Sequence, residues 1–476
     1  MFFPLFSLVL TSVTVAFFTL TRGELWLDDF AGYLMQAKSI LSWSMPDFLL
    51  HNSFTVQTSS YPPGPAAYPW GFPLLLAPVY ASFGLSPLPL KLVNLIFFAG
   101  FLVCLFLLAR TRLRQGDALL ITGLLAFAPA MIAANDLILS DIPFLAFSTL
   151  SLFLIESLHL EKKIISIAAG ASIFAAFFIR TNGMVLLAPL LISLLLVDWP
   201  NWLLAIKKAS LPVLTFAVLL GLQTAMFPGG QSSYLSHFSL FSLPHLLDNF
   251  IYYLWLPSRV FDGIPAGVVL YPVLLFFLCF SIFTNWRRDA VLYVYAVLTT
   301  LVFIIWPERQ GLRFIYPVLP ILFVTAVDGM RQAVGFLNSR WQVRANLSVH
   351  VLLGAILLTA LLISTYSAYK VTSGGRTING PFDSYSQEMF AYVRENTAPE
   401  SVIVFMRPRA LRLFTERDAF MTVRCDDLFK GDYVVLHLKM EGNGQIPPEK
   451  ILSCKAVQPL ADVFHNKRFI VYKLNR

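Results

Sequence analysis

Residues 2–20, FFPLFSLVLTSVTVAFFTL, are followed after a short turn by residues 24–33, ELWLDDFAGY. The first stretch carries no charge and is long enough to cross a bilayer as one helix, which takes about 20 apolar residues. The second stretch places two adjacent carboxylates, Asp28 and Asp29, just beyond that span. Ionised groups are poorly solvated beside a hydrophobic slab, so this placement favours a role as base, metal ligand or cation site. Capping of a surface helix is the alternative interpretation.

The composition shows that the rest of the chain is equally apolar. Of its 476 residues, 57% are hydrophobic and 13% are charged, with a mean hydropathy of +0.69, whereas a soluble domain carries about 25% charged residues. The composition therefore predicts a polytopic α-helical membrane protein. The formal net charge of +8 does not indicate nucleic-acid binding, because the basic residues fall mostly in short loops between apolar stretches.

Apolar stretches separated by Gly, Pro and charged residues predict about eleven membrane-spanning helices, which places the two termini on opposite sides of the membrane. The predicted spans lie near residues 2–20, 88–109, 117–134, 142–158, 164–179, 183–198, 210–227, 264–284, 289–306, 313–329 and 346–368. Basic residues cluster in the loops at 110–114, 162–163, 207–208, 287–288 and 331–344, as is typical of a cytoplasmic face. The protein is therefore predicted to be multi-pass in the inner (plasma) membrane, with a cytoplasmic N-terminus.

The first outer loop is predicted to contain interfacial helices. Tyr33, Leu34, Ala37 and Leu41 form a stripe with helical spacing, which predicts a helix lying on the membrane. The stretch at 61–71, YPPGPAAYPWG, is stiff and aromatic, and the apolar segment at 70–80 is too short and too rich in proline to span. Tyr33 and Tyr61 flank this acidic loop and are candidate substrate-binding residues.

From about Lys370 onwards the chain is again rich in charged residues. Short stretches of alternating apolar and polar residues there predict strands at 401–405, 433–438 and 469–472, and a helix is predicted at 386–396. The chain thus divides into a transmembrane domain, residues 1–369, and a small exported α/β domain, residues 370–476. In this second domain Cys425 and Cys454 could pair if the region is exported. The basic run at 407–412, RPRALR, is interpreted as a solvated face, with a guide for an anionic acceptor as the alternative.

Three arginines are predicted on the same outer face as the acids. Arg180 stands at a helix junction, and Arg309 and Arg313 open a late span. One such arginine usually extends to lipid headgroups, but three arginines beside several aspartates indicate phosphate binding through the planar guanidinium fork. Asp141 follows the third span, and helix capping is its alternative role. Together these groups suit a reaction between a carboxylate-activated nucleophile and a phosphate-linked lipid.

The order of these motifs resembles that of the GT-C superfamily of polyprenyl-phosphate-sugar-dependent glycosyltransferases. The bacterial branch with protein O-mannosyltransferase-like and lipid A aminoarabinose transferase-like enzymes is the most similar. The motifs are the acidic pair, the aromatic-proline stretch at 61–71, SDIPF at 140–144, IRTNG at 179–183 and RFIYPVLP at 313–320. The stretch MFAYVRENTAPESVI at 389–403 resembles the start of the exported domain in that branch.

This resemblance implies a sugar transfer on the outer face, from a polyprenyl-phosphate sugar to a hydroxyl of a glycan, glycolipid or protein. It assigns the role of base or metal ligand to Asp28 first and Asp29 second, in place of the family's Asp-Glu motif. Asp141 corresponds to the second-loop acid, so a divalent cation, Mg or Mn, would bind at Asp28 and Asp141. Arg313 corresponds to the partner of the lipid phosphate, which Arg180 and Arg309 would assist.

Two other functions fit parts of the pattern. A transporter or flippase for a lipid-linked sugar shares the helices and outer arginines, but transporters generally place charges near the bilayer midplane and often show repeated halves. Here the charges lie at the ends of predicted helices and no internal repeat is evident. A membrane scaffold would explain the exported domain but not the clustering of acids and arginines on one face.

Overall fold

A computed structural model describes residues 2–61, 63–158, 162–197, 202–229, 243–264, 267–306, 308–440, 444–454 and 460–474. Pro62 of the aromatic-proline stretch, residue 198 of one predicted span and residues 265–266 of another lie outside the described residues. Each predicted span overlaps one or two helices over its described part, although the spans at 183–198 and 313–329 begin in 3-10 turns. Apolar sequence folds this way because a helix satisfies its own backbone hydrogen bonds, which a bilayer requires.

The helices up to residue 373 include all the predicted spans and the loop helices between them. They are α1 (Phe2–Thr19), α2 (Asp29–Leu41), α3 (Met45–Thr58), α4 (Gly71–Phe83), α5 (Pro87–Arg110), α6 (Gln115–Phe127), α7 (Pro129–Ala134), α8 (Asp141–Glu156), α9 (Lys163–Ile179), α10 (Leu187–Val197), α11 (Trp202–Met226), α12 (Leu243–Trp255), α13 (Gly267–Asn285), α14 (Ala290–Ile305), α15 (Leu319–Gly335) and α16 (Ser339–Ser373). Short 3-10 turns at Thr181–Leu186, Leu256–Phe261 and Gly311–Ile315 join some of them.

The lengths of the helices support only part of the predicted number of membrane spans. Within the described residues, four helices are long and apolar enough to cross a membrane by length and composition: Pro87–Arg110, Leu203–Met226, Gly267–Asn285 and Ser339–Ser373. The span predicted at 117–134 is two helices, α6 and α7, because Pro129 lacks the N–H that a continuous helix needs. The total of eleven spans and the orientation of the termini stay predictions.

Helix α2 does not present its apolar stripe to lipid. Tyr33, Leu34 and Ala37 are 4%, 0% and 0% exposed, since α2 packs against α4 and against a helix of the C-terminal region. Only Leu41, at the helix end, is exposed as a membrane-facing residue would be. The prediction that this stripe lies on the membrane is therefore wrong. The acidic pair at its start is held inside protein and not on a free surface helix.

Lys91 of α5 ties the segment before the acidic pair to the loop between α7 and α8. Its ammonium group is fully buried and donates to Asp136 Oδ1 at 2.7 Å, to the carbonyl of Gly23 at 2.6 Å and to Thr21 Oγ1 at 3.0 Å. Beside it, Glu24 accepts the backbone N–H of Ile138 at 2.9 Å, and burial raises the pKa of Glu24 to about 7. These bonds bring the loops that carry Asp28 and Asp141 together.

The C-terminal region forms a small mixed sheet with flanking helices. Its elements are α17 (Ser384–Asn396), β1 (Val402–Val404), α18 (Pro408–Thr415), β2 (Asp418–Phe420), β3 (Tyr433–His437), α19 (Pro448–Ile451), β4 (Ala461–His465) and β5 (Phe469–Lys473). The strand order is β2-β1-β3-β5-β4, with β1 parallel to β2 and β3, and β5 antiparallel to β3 and β4. Three strands and one helix were predicted, whereas β2, β4 and α18 had no clear pattern.

Two features concern the C-terminal domain predicted for residues 370–476: its cysteines and the point at which it begins. Cys425 and Cys454 are joined by a disulfide, which selects between the alternatives left open by the sequence. Helix α16 continues to Ser373, so the chain leaves the helical bundle close to the predicted division after residue 369. That division itself stays a prediction.

The substitution Lys91→Met is expected to lower the thermal stability of the protein. It leaves Asp136 mostly buried without its cation, and removing one partner of a buried pair costs about 3–5 kcal/mol. The melting temperature in detergent measures the effect, and Lys207→Met is the control because Lys207 is exposed. Equal melting temperatures for the two variants would contradict the role of Lys91.

Candidate functional site

A cavity of about 560 Å³ lies where the predicted outer loops meet the C-terminal sheet domain. The first loop contributes the acidic pair and three aromatic or proline-rich segments, and the sheet domain contributes Met406 and Met421. The charged residues that line the cavity are Asp28, Asp29, Arg180, Glu308, Arg313 and Arg407. Predicted site residues from three regions of the sequence, the first loop, Arg180 and Arg313, thus surround one space, whereas Asp141 lies behind its lining.

Arg313 links two of the predicted acids. Its Nη2 lies 3.3 Å from Asp29 Oδ2 and 3.2 Å from Asp141 Oδ2, and Arg180 pairs with Asp141 from the other side. Asp141 makes no capping bond: Ser140 holds the N-cap position, and Asp141 is the first residue of α8. The capping alternative for Asp141 is therefore wrong. The result is a row of alternating charges, in which each buried group has a partner of opposite sign.

Asp28 has a different environment from Asp29. Its Oδ1 accepts the backbone N–H groups of Arg409 at 3.2 Å and Ala410 at 3.4 Å, at the start of α18. It occupies the N-cap position of α2 without a capping bond there, so it stabilises the N-terminus of a distant helix instead. Among the described residues, Asp28 Oδ2 has no hydrogen-bond partner. Burial raises the pKa of Asp28 to about 6, and Arg409 and Arg407 oppose that rise.

The tyrosines predicted as substrate contacts both line the cavity. Tyr33 is buried, with its hydroxyl 3.0 Å from Ser140 Oγ and its ring 4.5 Å from the ring of Tyr68. Burial raises the pKa of Tyr33 above its ordinary value. Tyr61 lies at the rim, with 49% of its surface exposed. Tyr33 thus belongs to the packed wall and Tyr61 to the opening.

Arg309 is not part of the cavity lining. Its Nε donates to Asn249 Oδ1 at 2.9 Å, and its guanidinium lies 4.8 Å from the centre of the Tyr252 ring. The turn between Arg309 and Arg313 passes through Gly311, which has φ +67°, and the two side chains diverge. The assignment of Arg309 to the substrate site is not supported, and its contacts are those of a residue that holds α12.

Tyr68, Glu308 and Arg407 are among the cavity-lining residues that the sequence did not single out as site residues. Arg407 belongs to the run interpreted as a solvated face, but its Nε donates to the carbonyl of Trp26 at 2.7 Å. Arg409, two residues on, is 0% exposed. The interpretation of this run as a solvated face is therefore wrong. The apolar residues around it, such as Met406 and Leu411, were the available signal for burial.

The residues present do not fit the predicted divalent cation at Asp28 and Asp141. Asp141 is paired with two guanidinium groups, and Asp28 accepts backbone amides beside Arg409. Within the ranges that the structure describes, no three His, Cys, Asp or Glu side chains are grouped as ligands. Arginines stand where a cation would have to bind, so no chemical step is assigned to a metal.

Known proteins resemble this chain in part of its sequence and in its whole fold. The model of the Alg9-like mannosyltransferase family matches residues 262–409, and no curated protein sequence matches significantly. ArnT from Cupriavidus metallidurans bound to undecaprenyl phosphate has 15% identity and a TM-score of 0.57, over 98% of this chain and 97% of that chain.

A second similar structure is the oligosaccharyltransferase of Archaeoglobus fulgidus, in complex with Zn and sulfate. It has 14% identity and a TM-score of 0.60, over 92% of this chain and 68% of that chain. The archaeal enzyme AglB from the same organism, with an inhibitory peptide and a dolichol-phosphate, has 11% identity and a TM-score of 0.54 over 92% of this chain and 70% of that chain. The predicted resemblance to GT-C glycosyltransferases is confirmed, and at these identities the structures establish a shared fold.

The pairing of Asp141 with Arg180 and Arg313 predicts what happens when the Asp141 carboxylate is removed. Asp141→Asn is expected to destabilise the protein by about 3–5 kcal/mol, because Arg180 and Arg313 lose a buried counter-charge. Glu395→Gln is the control, since Glu395 pairs with Arg394 on the surface, where such pairs contribute about 0–1 kcal/mol. Thermal denaturation compares them. A melting temperature of Asp141→Asn as high as that of Glu395→Gln would refute the pairing.

Proposed function

We propose that this protein is a membrane glycosyltransferase that moves a sugar from a polyprenyl-phosphate-linked donor to an acceptor hydroxyl on the outer face of the membrane. One observation carries the proposal: Asp28, Arg180 and Arg313 face the same cavity. Chemistry of this kind needs a base and a phosphate site side by side. The similar structures of ArnT and AglB were obtained with undecaprenyl phosphate and with a dolichol-phosphate, which supports a lipid-phosphate donor.

Asp28 is the proposed general base. A carboxylate with a pKa of about 6 is still ionised at neutral pH, yet it is more basic than a fully solvated one. Its Oδ1 is held by two backbone amides, whereas Oδ2 has no hydrogen-bond partner among the residues described. Asp29 is bound to Tyr68 and Arg313 and is the second choice. Removing the acceptor's proton is the step in which such a base contributes most.

The transfer follows as a direct displacement. Asp28 takes the proton of the acceptor hydroxyl, the acceptor oxygen forms a bond to the anomeric carbon, and the bond between that carbon and the phosphate oxygen breaks. The electron pair leaves with the lipid phosphate, and Arg180 and Arg313 stabilise the anion through charge-assisted hydrogen bonds. A single displacement inverts the anomeric centre. Because Asp29 and Asp141 balance the two arginines, the phosphate product is stabilised without being permanently trapped.

The orientation of the reaction rests on two features. The basic loops identified in the sequence favour a cytoplasmic side opposite to the cavity. The disulfide between Cys425 and Cys454 favours an oxidising compartment for the sheet domain. A multi-pass enzyme of the inner (plasma) membrane with an extracytoplasmic C-terminal domain meets both conditions. The acceptor would then be a glycan, glycolipid or protein that reaches the cavity from outside.

Asp28→Asn is expected to lower turnover by about 10²–10⁴-fold, the usual contribution of a general base, while donor binding persists. The assay uses purified protein in lipid with a panel of polyprenyl-phosphate sugars and follows release of polyprenyl phosphate. In the wild type, turnover should fall as the pH drops through about 6, where Asp28 gains a proton. Asp47→Asn is the control, because the Asp47 side chain is 68% exposed. Wild-type turnover in Asp28→Asn would refute the assignment of the base.

Arg180→Gln is expected to weaken binding of both the donor and its lipid-phosphate product. Loss of one charge-assisted contact to phosphate should raise KM for the donor by about tenfold, and inhibition by undecaprenyl phosphate should weaken in parallel. Arg340→Gln, on an exposed arginine of a predicted cytoplasmic loop, is the control. Unchanged KM and inhibition would place the phosphate elsewhere. Saturable lipid binding without any release in the wild type would favour a transporter.

A further inference from the structure

The side chain of Arg409 is fully buried where the C-terminal sheet domain meets the first outer loop. Its Nε donates to Asn52 Oδ1 at 3.0 Å, and its Nη2 donates to the carbonyl of Pro65 at 2.5 Å. Its Nη1 donates to the carbonyl of Pro63 at 2.9 Å and to the hydroxyl of Tyr68 at 2.8 Å. A buried guanidinium is costly unless its donors are satisfied. Here every acceptor belongs to the first outer loop.

The hydrogen bond from Arg409 to Tyr68 determines the direction of the hydrogen bond between Tyr68 and Asp29. A guanidinium has donors only, so the Tyr68 oxygen must accept from Arg409. The hydroxyl hydrogen of Tyr68 is then directed at its other neighbour, Asp29 Oδ1, at 2.7 Å. Gln36 holds the backbone of Tyr68 on both sides, with Oε1 3.0 Å from its N–H donor and Nε2 2.9 Å from its carbonyl. Arg409 thus orients a hydrogen bond to Asp29 that it does not itself make.

The packing around this pair leaves little freedom. A Cβ atom at Gly32 would lie 2.8 Å from the Tyr68 ring, and one at Gly64 would lie 2.9 Å from the Tyr68 hydroxyl and 3.0 Å from Arg409 Nη1. Gly64 also has φ +127°, a conformation that other residues rarely adopt. The loop approaches so closely only because these two residues lack side chains, which keeps Tyr68 and Arg409 in one arrangement.

Arg409 also contacts Asp28, the other acid of the pair, through its backbone N–H. The N–H of Arg409 donates to Asp28 Oδ1 at 3.2 Å, and its Nε lies 4.0 Å from Asp28 Oδ2. Arg409 therefore acts on Asp28 directly and on Asp29 through Tyr68. It is absent from the cavity lining, so it has no contact with a bound substrate there.

We propose that Arg409 is a positioning residue of the transfer reaction, which orients the acidic pair Asp28–Asp29 from outside the cavity through Tyr68 and the start of α18. The inference rests on the proposed glycosyl transfer. It gives the C-terminal domain a part in the chemistry, because the domain supplies the group that holds both acids in place. The domain is then required for turnover even with an acceptor small enough to need no docking surface.

The test compares two buried arginines of the same domain. Arg417 is 9% exposed and donates to Thr397 and to the carbonyls of Arg394 and Thr415, all within that domain. Arg409→Lys keeps the charge but loses the fork, and it should lower kcat by about 100-fold, as misplacement by a distant change can. KM for the donor should change less than threefold, roughly the scatter of such contributions. Arg417→Lys should leave kcat unchanged.

Tyr68→Phe provides a milder variant in case Arg409→Lys fails to fold. It removes the bond to Asp29 while Arg409 keeps its contacts with Asn52, Pro63 and Pro65, and kcat should fall by about tenfold, the effect of one lost hydrogen bond. If Arg409 acts through Tyr68, kcat of the double variant Tyr68→Phe/Arg409→Lys should be no lower than kcat of Arg409→Lys alone. If the losses in kcat of the two single variants multiply in the double variant, the action of Arg409 through Tyr68 is overturned.

The pH profile separates positioning from mere loss of stability. The charged groups that face Asp28 are Arg409 from α18, Arg407 just before α18, and Asp29 at the start of α2. Arg409→Met deletes one cation that lowers the pKa of Asp28, so the acidic limb of kcat should move to higher pH. Arg409→Lys and Arg417→Lys should keep the limb near the wild-type position. An unmoved limb in Arg409→Met would overturn a role for the Arg409 charge.

A final measurement does not depend on turnover. Hydrogen exchange at the backbone amides of Gly64, Ala66, Ala67, Tyr68 and Trp70 should quicken in Arg409→Lys and stay unchanged in Arg417→Lys. Equal exchange and equal kcat in the two variants, with active wild type, would overturn the inference and leave the proposed function intact. A wild type that transfers no sugar from any donor would overturn the proposed function, and with it the reaction that Arg409 is inferred to serve.

Discussion

The pairing of Arg313 with Asp29 and Asp141 is the interaction on which the site depends. Asp29 begins the first loop helix, Asp141 begins the helix after the second loop, and Arg313 precedes a late helix of the bundle. These segments are far apart in sequence and would repel or drift without a charged group between the acids. One guanidinium therefore fixes the distance between two loops and also places a cation at the cavity wall. The contacts of Arg313 with Asp29 and Asp141 therefore both hold the loops together and position a cation at the site.

Charges in this protein are buried at the ends of apolar helices, where each one must be paired. Lys91 satisfies Asp136, and Arg409 satisfies a group of loop carbonyls. Such pairs add little net stability compared with apolar packing, but breaking one is expensive. The consequence is geometric precision. The proline-rich stretch at 61–71 has little regular structure of its own, and the buried cation Arg409 restricts it to one arrangement. A transferase needs that precision, since base and phosphate site must act on one sugar.

The cavity lies between two parts of the chain that sequence patterns separate. The helical bundle supplies Asp29, Arg180 and Arg313, whereas the sheet domain supplies Arg407 to the lining and Arg409 behind it. Asp28 is held at the start of α18, which makes its basicity a product of both parts. Burial raises the pKa of Asp28, and Arg407 and Arg409 of the sheet domain oppose that rise. The domain is thus part of the site and more than an attachment to it.

The sequence by itself predicted most of the long helices, the short strands near 403, 435 and 471, and most of the acids and arginines of the site, but it also included Arg309. Hydrophobic length and charge breaks are local properties, so they can be read without contacts. Only the tertiary structure decided which charges meet. It separated Arg313 from Arg309, buried Arg409 in a run that looked solvated, and turned Asp28 toward an amide 381 positions away. The physical reason is that desolvation and pairing of a charge depend on its neighbours in space, which no local pattern encodes.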